Sequence, residues 1–87
     1  MKGILADVDW ISKNVIISEG SILLFCFDEK CMSGKISKLK CLAENNYFQI
    51  AVEFIDGNYF RDVEAKDFTI NEASKVLGYG KVIEFFR

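Results

Sequence analysis

Polar and apolar residues alternate from Gly3 to Ile11, with Ile4, Ala6, Val8 and Trp10 on one side and Leu5, Asp7, Asp9 and Ile11 on the other. Successive side chains of a strand point to opposite faces, so this spacing predicts a half-exposed strand with Trp10 on its buried side. Ile22-Leu23-Leu24-Phe25-Cys26-Phe27 is different, because it is apolar on both faces. Leu23, Phe25 and Phe27 would point one way and Ile22, Leu24 and Cys26 the other, so both faces ask for cover and the rest of the chain is expected to pack around this run. Between the two lie a short strand, Val15 to Ser18, and the turns Ser12-Lys13-Asn14 and Glu19-Gly20-Ser21.

Asp28 to Lys35 reads as a loop. Ile36 to Ala43 and Tyr47 to Ile55 then alternate and are separated by Glu44-Asn45-Asn46, which predicts a hairpin with Phe48, Ile50, Val52 and Phe54 inward. In its first arm Leu39, Cys41 and Ala43 share a face with Ser37, and Lys38 and Lys40 share the other with Ile36. Asp56-Gly57-Asn58 predicts another turn, leading to a third strand from Tyr59 to Glu64. Further on, Asn71 as N-cap, Glu72 in the first turn and Gly78 after the last turn predict a short helix over Glu72 to Leu77, with Ala73, Val76 and Leu77 as its apolar face. Gly78-Tyr79-Gly80-Lys81 would run from helix into strand, the reverse of a phosphate loop, and reads as a cap and turn. Lys81 to Phe86 is the closing strand.

These elements predict one β-rich domain over residues 1–87. Its class is mainly β, or β-rich α+β: a small antiparallel barrel or strongly curled sheet of six to seven short strands, with one short helix before the last strand. A barrel buries only one face of each strand, so 22–27 and 81–86 leave apolar surface for the helix or for a second chain, and a homodimer is one expectation.

Charge changes the picture more by its distribution than by its sum of −2. Residues 30–40 hold four Lys and no acid, whereas residues 53–72 hold six acids against Arg61 and Lys66. A basic hairpin and an acidic segment are therefore expected on one molecule. The chain has no histidine, which excludes Ser-His-Asp and Cys-His catalysis. Three cysteines, Cys26, Cys31 and Cys41, at spacings of five and ten match no zinc pattern, so no metal or other cofactor is expected. Ile4-Leu5-Ala6 is cut off by Asp7 and Asp9 and forms no signal core, and the longest apolar run is six residues. The expectation is a cytoplasmic chain with free thiols, Cys31 in a loop and Cys26 and Cys41 as small core residues.

With no catalytic set, the sequence points to a non-catalytic protein-binding module. Its most concrete form is a small inhibitor of the immunity or antitoxin type, masking a basic toxin or nuclease with an acidic, aromatic-bearing face. Asp56, Tyr59, Phe60, Asp62, Glu64, Asp67 and Glu72 are the candidate partner-binding residues, the acids steering the encounter and the rings anchoring it. The alternative is a small-barrel nucleic-acid binder using Lys30, Lys35, Lys38 and Lys40 with Tyr47. Either set also reads as an ordinary solvated surface, lysines being a common device for keeping strand edges soluble.

Overall fold

β1 (Gly3–Trp10) turns Ile4, Ala6, Val8 and Trp10 inward, as its alternation requires. The computed structural model, which describes residues 2–42, 46–55 and 63–86, continues with β2 (Ile22–Phe27), β3 (Lys30–Cys41), β4 (Tyr47–Phe54), β5 (Asp67–Glu72) and β6 (Lys75–Phe86). All neighbours are antiparallel, and the sheet closes on itself in the order β1-β4-β3-β2-β5-β6. The small, mainly β barrel read from the alternation is therefore the fold. Closure leaves no free sheet edge among these strands.

The interior is filled from every strand. Phe25 and Phe27 of β2 meet Phe54 of β4 and Phe68 of β5, with ring centroids 5.1 to 6.0 Å apart. Phe25 meets Phe54 edge-on at 85°, an arrangement favoured by the charge distribution of the rings. Such rings fit a narrow barrel because glycines face them. A Cβ on Gly80 of β6 would collide with the Phe68 ring, and one on Gly34 of β3 would lie 2.6 Å from Val52 Cγ1 and 2.9 Å from Phe25 Cδ1.

No helix forms at Glu72–Leu77, which corrects the sequence reading. Asn71 and Glu72 end β5, Ala73 and Ser74 make a two-residue turn, and Lys75 starts β6 opposite Glu72. Six residues cannot offset the cost of helix nucleation, whereas both arms of a hairpin join a sheet already in place. Ala73 takes φ 55°, at a cost of about 1–2 kcal/mol for a residue with a Cβ. A register shift after Ile70 lets Leu77 and Gly78 both be buried, which breaks the period of two there, while Ala73 and Val76 of the expected apolar face are exposed. Gly78 to Lys81 is likewise no turn but the middle of β6.

Other boundaries move for comparable reasons. Only Asp28 and Glu29 of the expected loop Asp28–Lys35 lie outside strands. Lys30 to Lys35 pairs with β2, and Gly34, standing where an apolar residue would mark the period, hides that strand in the sequence. A bulge at Ser37 then flips the facing of β3, so Ile36 is buried and Leu39 packs against the core from the same side. Ser37 Oγ donates to Ala51 O across the bulge, at 3.1 Å. Val15 to Ser18 is not a strand but part of an irregular connector that buries Ile17. Trp10 Nε1 donates to Val15 O, Gly20 N–H to Ile36 O and Ile36 N–H to Ser21 O, which lays the connector along β3 beyond the end of β2. The turn Asp56–Asn58 and Tyr59 to Asp62 of the expected third strand lie outside the described residues, while Val63 and Glu64 belong to no strand.

The cysteines are not all free thiols. Cys26 of β2 and Cys31 of β3 stand directly opposite one another, with Cα atoms 4.0 Å apart, and form a disulfide. The two-residue turn makes Phe27–Lys30 the hydrogen-bonded closing pair, so Cys26–Cys31 is the closer, non-hydrogen-bonded kind. Both point away from the core; Cys41 is exposed and is not part of this bond. Among the described residues no helix covers the outward face of β2, and Ile22 is 60% exposed. Among the described residues no helix is long and apolar enough to cross a membrane.

Candidate functional site

Among the described residues no polar or charged side chain is buried, and the barrel interior is closed by aromatic and aliphatic groups. On the outer surface the described residues form shallow depressions, among them three with charged linings.

Two of them adjoin at the β2–β3 turn. The first, of about 400 Å³, is lined by Phe27, Asp28, Glu29, Lys30, Glu64 and the 63–65 segment. Buried Val63 anchors that segment, and Lys66 O accepts from Val82 N–H of β6. The second, of about 480 Å³, runs over the outer faces of β2, β5 and β6, between Asp28, Asp67, Thr69 and Tyr79, with Cys26 at one side. Asp28 lines both. Its φ of 54° is a conformation that Asp tolerates better than most residues, and it puts the carboxylate at the tip of the tightest turn on this side. Four carboxylates, Asp28, Glu29, Glu64 and Asp67, thus line one continuous surface with the ammonium of Lys30, while Lys81 stands opposite Asp67 in the β5–β6 ladder and Tyr79 supplies a ring that is 52% exposed.

Of the residues expected to face a partner, Glu64 and Asp67 meet here. Glu72 does not, because it sits five residues further along β5, roughly 17 Å away at strand rise, opposite Lys75. Asp56, Tyr59, Phe60 and Asp62 lie outside the described residues. Sequence reading missed Asp28, Glu29 and Tyr79. Two acids between runs that pair in register were the available signal for the turn, while Tyr79 was hidden by two glycines that read as a turn and are wall positions instead.

The third depression, of about 440 Å³, lies on the opposite half of the barrel, over β3, β4 and β1. Lys38, Lys40, Ser37 and Gln49 line it above Leu5 and Ala51, and Glu19 closes one side, its carboxylate accepting from Leu39 N–H. Lys38 stands opposite Ala51 and Lys40 opposite Gln49. Lys35 shares the strand but is paired with Glu53, and Lys30 lies ten residues from Lys40 at the acid-lined turn. The four expected lysines are therefore divided between the two sides. Tyr47 is on β4 opposite Asp9, beyond the lysine pair. Asp7 lies in the row beside Gln49 and Lys81, with one carboxylate oxygen buried and without a hydrogen-bond partner, so acids border this basic surface.

Among the described residues no group of three or more His, Cys, Asp or Glu could hold a metal ion. No protein-family model matches the chain, and no curated protein matches its sequence.

Proposed function

We propose that this barrel is a non-catalytic protein-binding module that docks a basic partner on the surface around Asp28. The observation that carries this reading is the joining of two depressions through one aspartate, with four carboxylates and an exposed tyrosine against Lys30 in the lining and Lys81 opposite Asp67 beside it. Carboxylates on a rim raise the rate of encounter with a cationic surface, and a half-buried ring gives the docked state an anchor. The specific form of the proposal is an inhibitor of the immunity or antitoxin type that covers a basic, nucleic-acid-handling face of a toxin. The test is capture of the products of neighbouring genes by the wild type and by the triple variant Asp28→Lys/Glu64→Lys/Asp67→Lys. Loss of roughly tenfold or more in affinity, with a weaker salt dependence of association, is expected. Equal affinity of the two for every captured partner would sink the proposal.

A second reading has its own observation, the depression between Lys38 and Lys40. There, a single-stranded nucleic acid would place phosphates on the two ammonium groups. Lys38→Glu/Lys40→Glu should then weaken binding of a fluorescent oligonucleotide at low salt. Losing the two contacts should flatten the salt dependence by roughly 1.4 in log–log slope. No binding by the wild type at low salt removes this reading and leaves the first untouched.

A further inference from the structure

We propose that the Cys26–Cys31 disulfide is a redox-operated latch on the docking surface. Closed, it holds Asp28 and Glu29 beside Asp67 and Tyr79. Opened by a dithiol, it loosens that corner of the barrel and weakens docking. The effect on docking rests on the reading of the acid-lined surface given above, whereas the latch itself rests on the register of three strands.

Cys26 has a neighbour on each side, Cys31 of β3 and Thr69 of β5. The β2–β5 ladder is the shortest in the barrel, with the three pairs Leu24–Asn71, Phe25–Ile70 and Cys26–Thr69. Cys26 is its last pair, so this seam of the closed sheet ends where the disulfide begins. Beyond it come Phe27, paired only with Lys30, and then the turn residues Asp28 and Glu29. Little backbone pairing therefore fixes the carboxylates of the turn relative to Asp67 and Tyr79. The covalent tie between β2 and β3 makes up for it, since Cys26 lines the second depression and Asp28 follows two residues later.

The bond is placed for exchange. Both sulfurs are on the outer face, and Cys31 is exposed while Cys26 is half-buried. Exchange needs access for a thiolate, and Cys31 is the more exposed of the two residues. A dithiol reductant attacks the Cys31 sulfur, the Cys26–Cys31 bond breaks, and Cys26 leaves as a thiolate that takes up a proton. The second thiolate of the reductant then displaces Cys31 from the mixed disulfide. Two electrons and two protons pass to the protein, which ends with two thiols, and the reductant ends as its own disulfide. Cys41, at the far end of β3, takes no part.

The test compares the full-length chain before and after dithiothreitol treatment. Thiol titration of denatured samples should give one thiol before reduction and three after it. Amide hydrogen exchange should accelerate about tenfold or more at residues 24–31 and 67–71 on reduction and stay unchanged across β1 and β4. An octa-arginine peptide, used as the basic probe, should bind the reduced protein about threefold or more weakly. The Cys26→Ser/Cys31→Ser variant should match the reduced protein and ignore the reductant. Three thiols in the air-oxidised protein, or exchange that is unchanged or equally faster everywhere, overturns the latch. Local loosening with unaltered probe affinity overturns its coupling to docking. Probe binding in neither state tells against the docking surface itself, and the exchange comparison then decides the latch alone.

Discussion

Replacing Phe25 by alanine is expected to lower the unfolding free energy by about 3–5 kcal/mol, the range for a buried aromatic truncated in a core that cannot collapse around the gap. Phe25 is fully buried, lies between Phe54 at 5.8 Å and Phe68 at 5.9 Å, and touches the bare wall at Gly34. Each of those neighbours is on a different strand of a closed sheet, so none can move inward without breaking ladder hydrogen bonds. An 87-residue chain has roughly 4–13 kcal/mol of stability in total, so the variant should be close to unfolding at room temperature. Urea titration followed by tryptophan fluorescence reads this directly, because Trp10 is 5% exposed in the same core. A loss under about 1 kcal/mol would mean that the aromatic cluster does not hold the barrel together.

Gly80→Ala is expected to cost about 1–3 kcal/mol, at the upper end for one added methyl group. The new Cβ would lie within 2.5 Å of Phe68 Cε2, 2.6 Å of Cε1, and against Cζ as well. The ring has nowhere to retreat, because Phe68 packs on Phe27 at 5.1 Å and on Phe25 at 5.9 Å. Opposite Gly80 on its other side is Val8 of β1, so the strand is paired on both edges and cannot shift outward. The double variant Gly80→Ala/Phe68→Leu should be more stable than the sum of the two single losses predicts, since the smaller side chain removes the collision. Strict additivity in thermal unfolding would contradict this account of the glycine.

Most of the barrel was legible in the alternation. Ile4 to Trp10 and Phe48 to Phe54 face inward as their period of two requires, and the long hairpin between β3 and β4 follows from it. The errors cluster where the period is broken or disguised. Gly34, Gly78 and Gly80 occupy inward wall positions but carry no apolar group, so each made a strand look like a loop or a turn. Bulges at Ser37 and after Ile70 shift the phase by one residue, and a phase shift in a short window reads as a turn of helix. The site was less legible than the fold. Glu64 and Asp67 come together with Asp28 and Glu29 through closure of the β2–β5 seam, a pairing of residues more than forty positions apart that no local pattern announces. The disulfide was hidden for a local reason, because pairing Cys26 with Cys31 requires Asp28-Glu29 to be the whole connection between β2 and β3.

Gly3 stands opposite Phe86, and β1 has β6 as one of its two partners. While the chain is being synthesised, β1 therefore waits with one flank bare until β6, more than sixty residues later, has left the ribosome. Contacts this distant in sequence are slow to form, and an unpaired flank invites association with other nascent chains. The lysine and aspartate side chains on the outer faces of β1 and β3 then have a role before folding is complete: they keep a half-built sheet from joining the wrong neighbour.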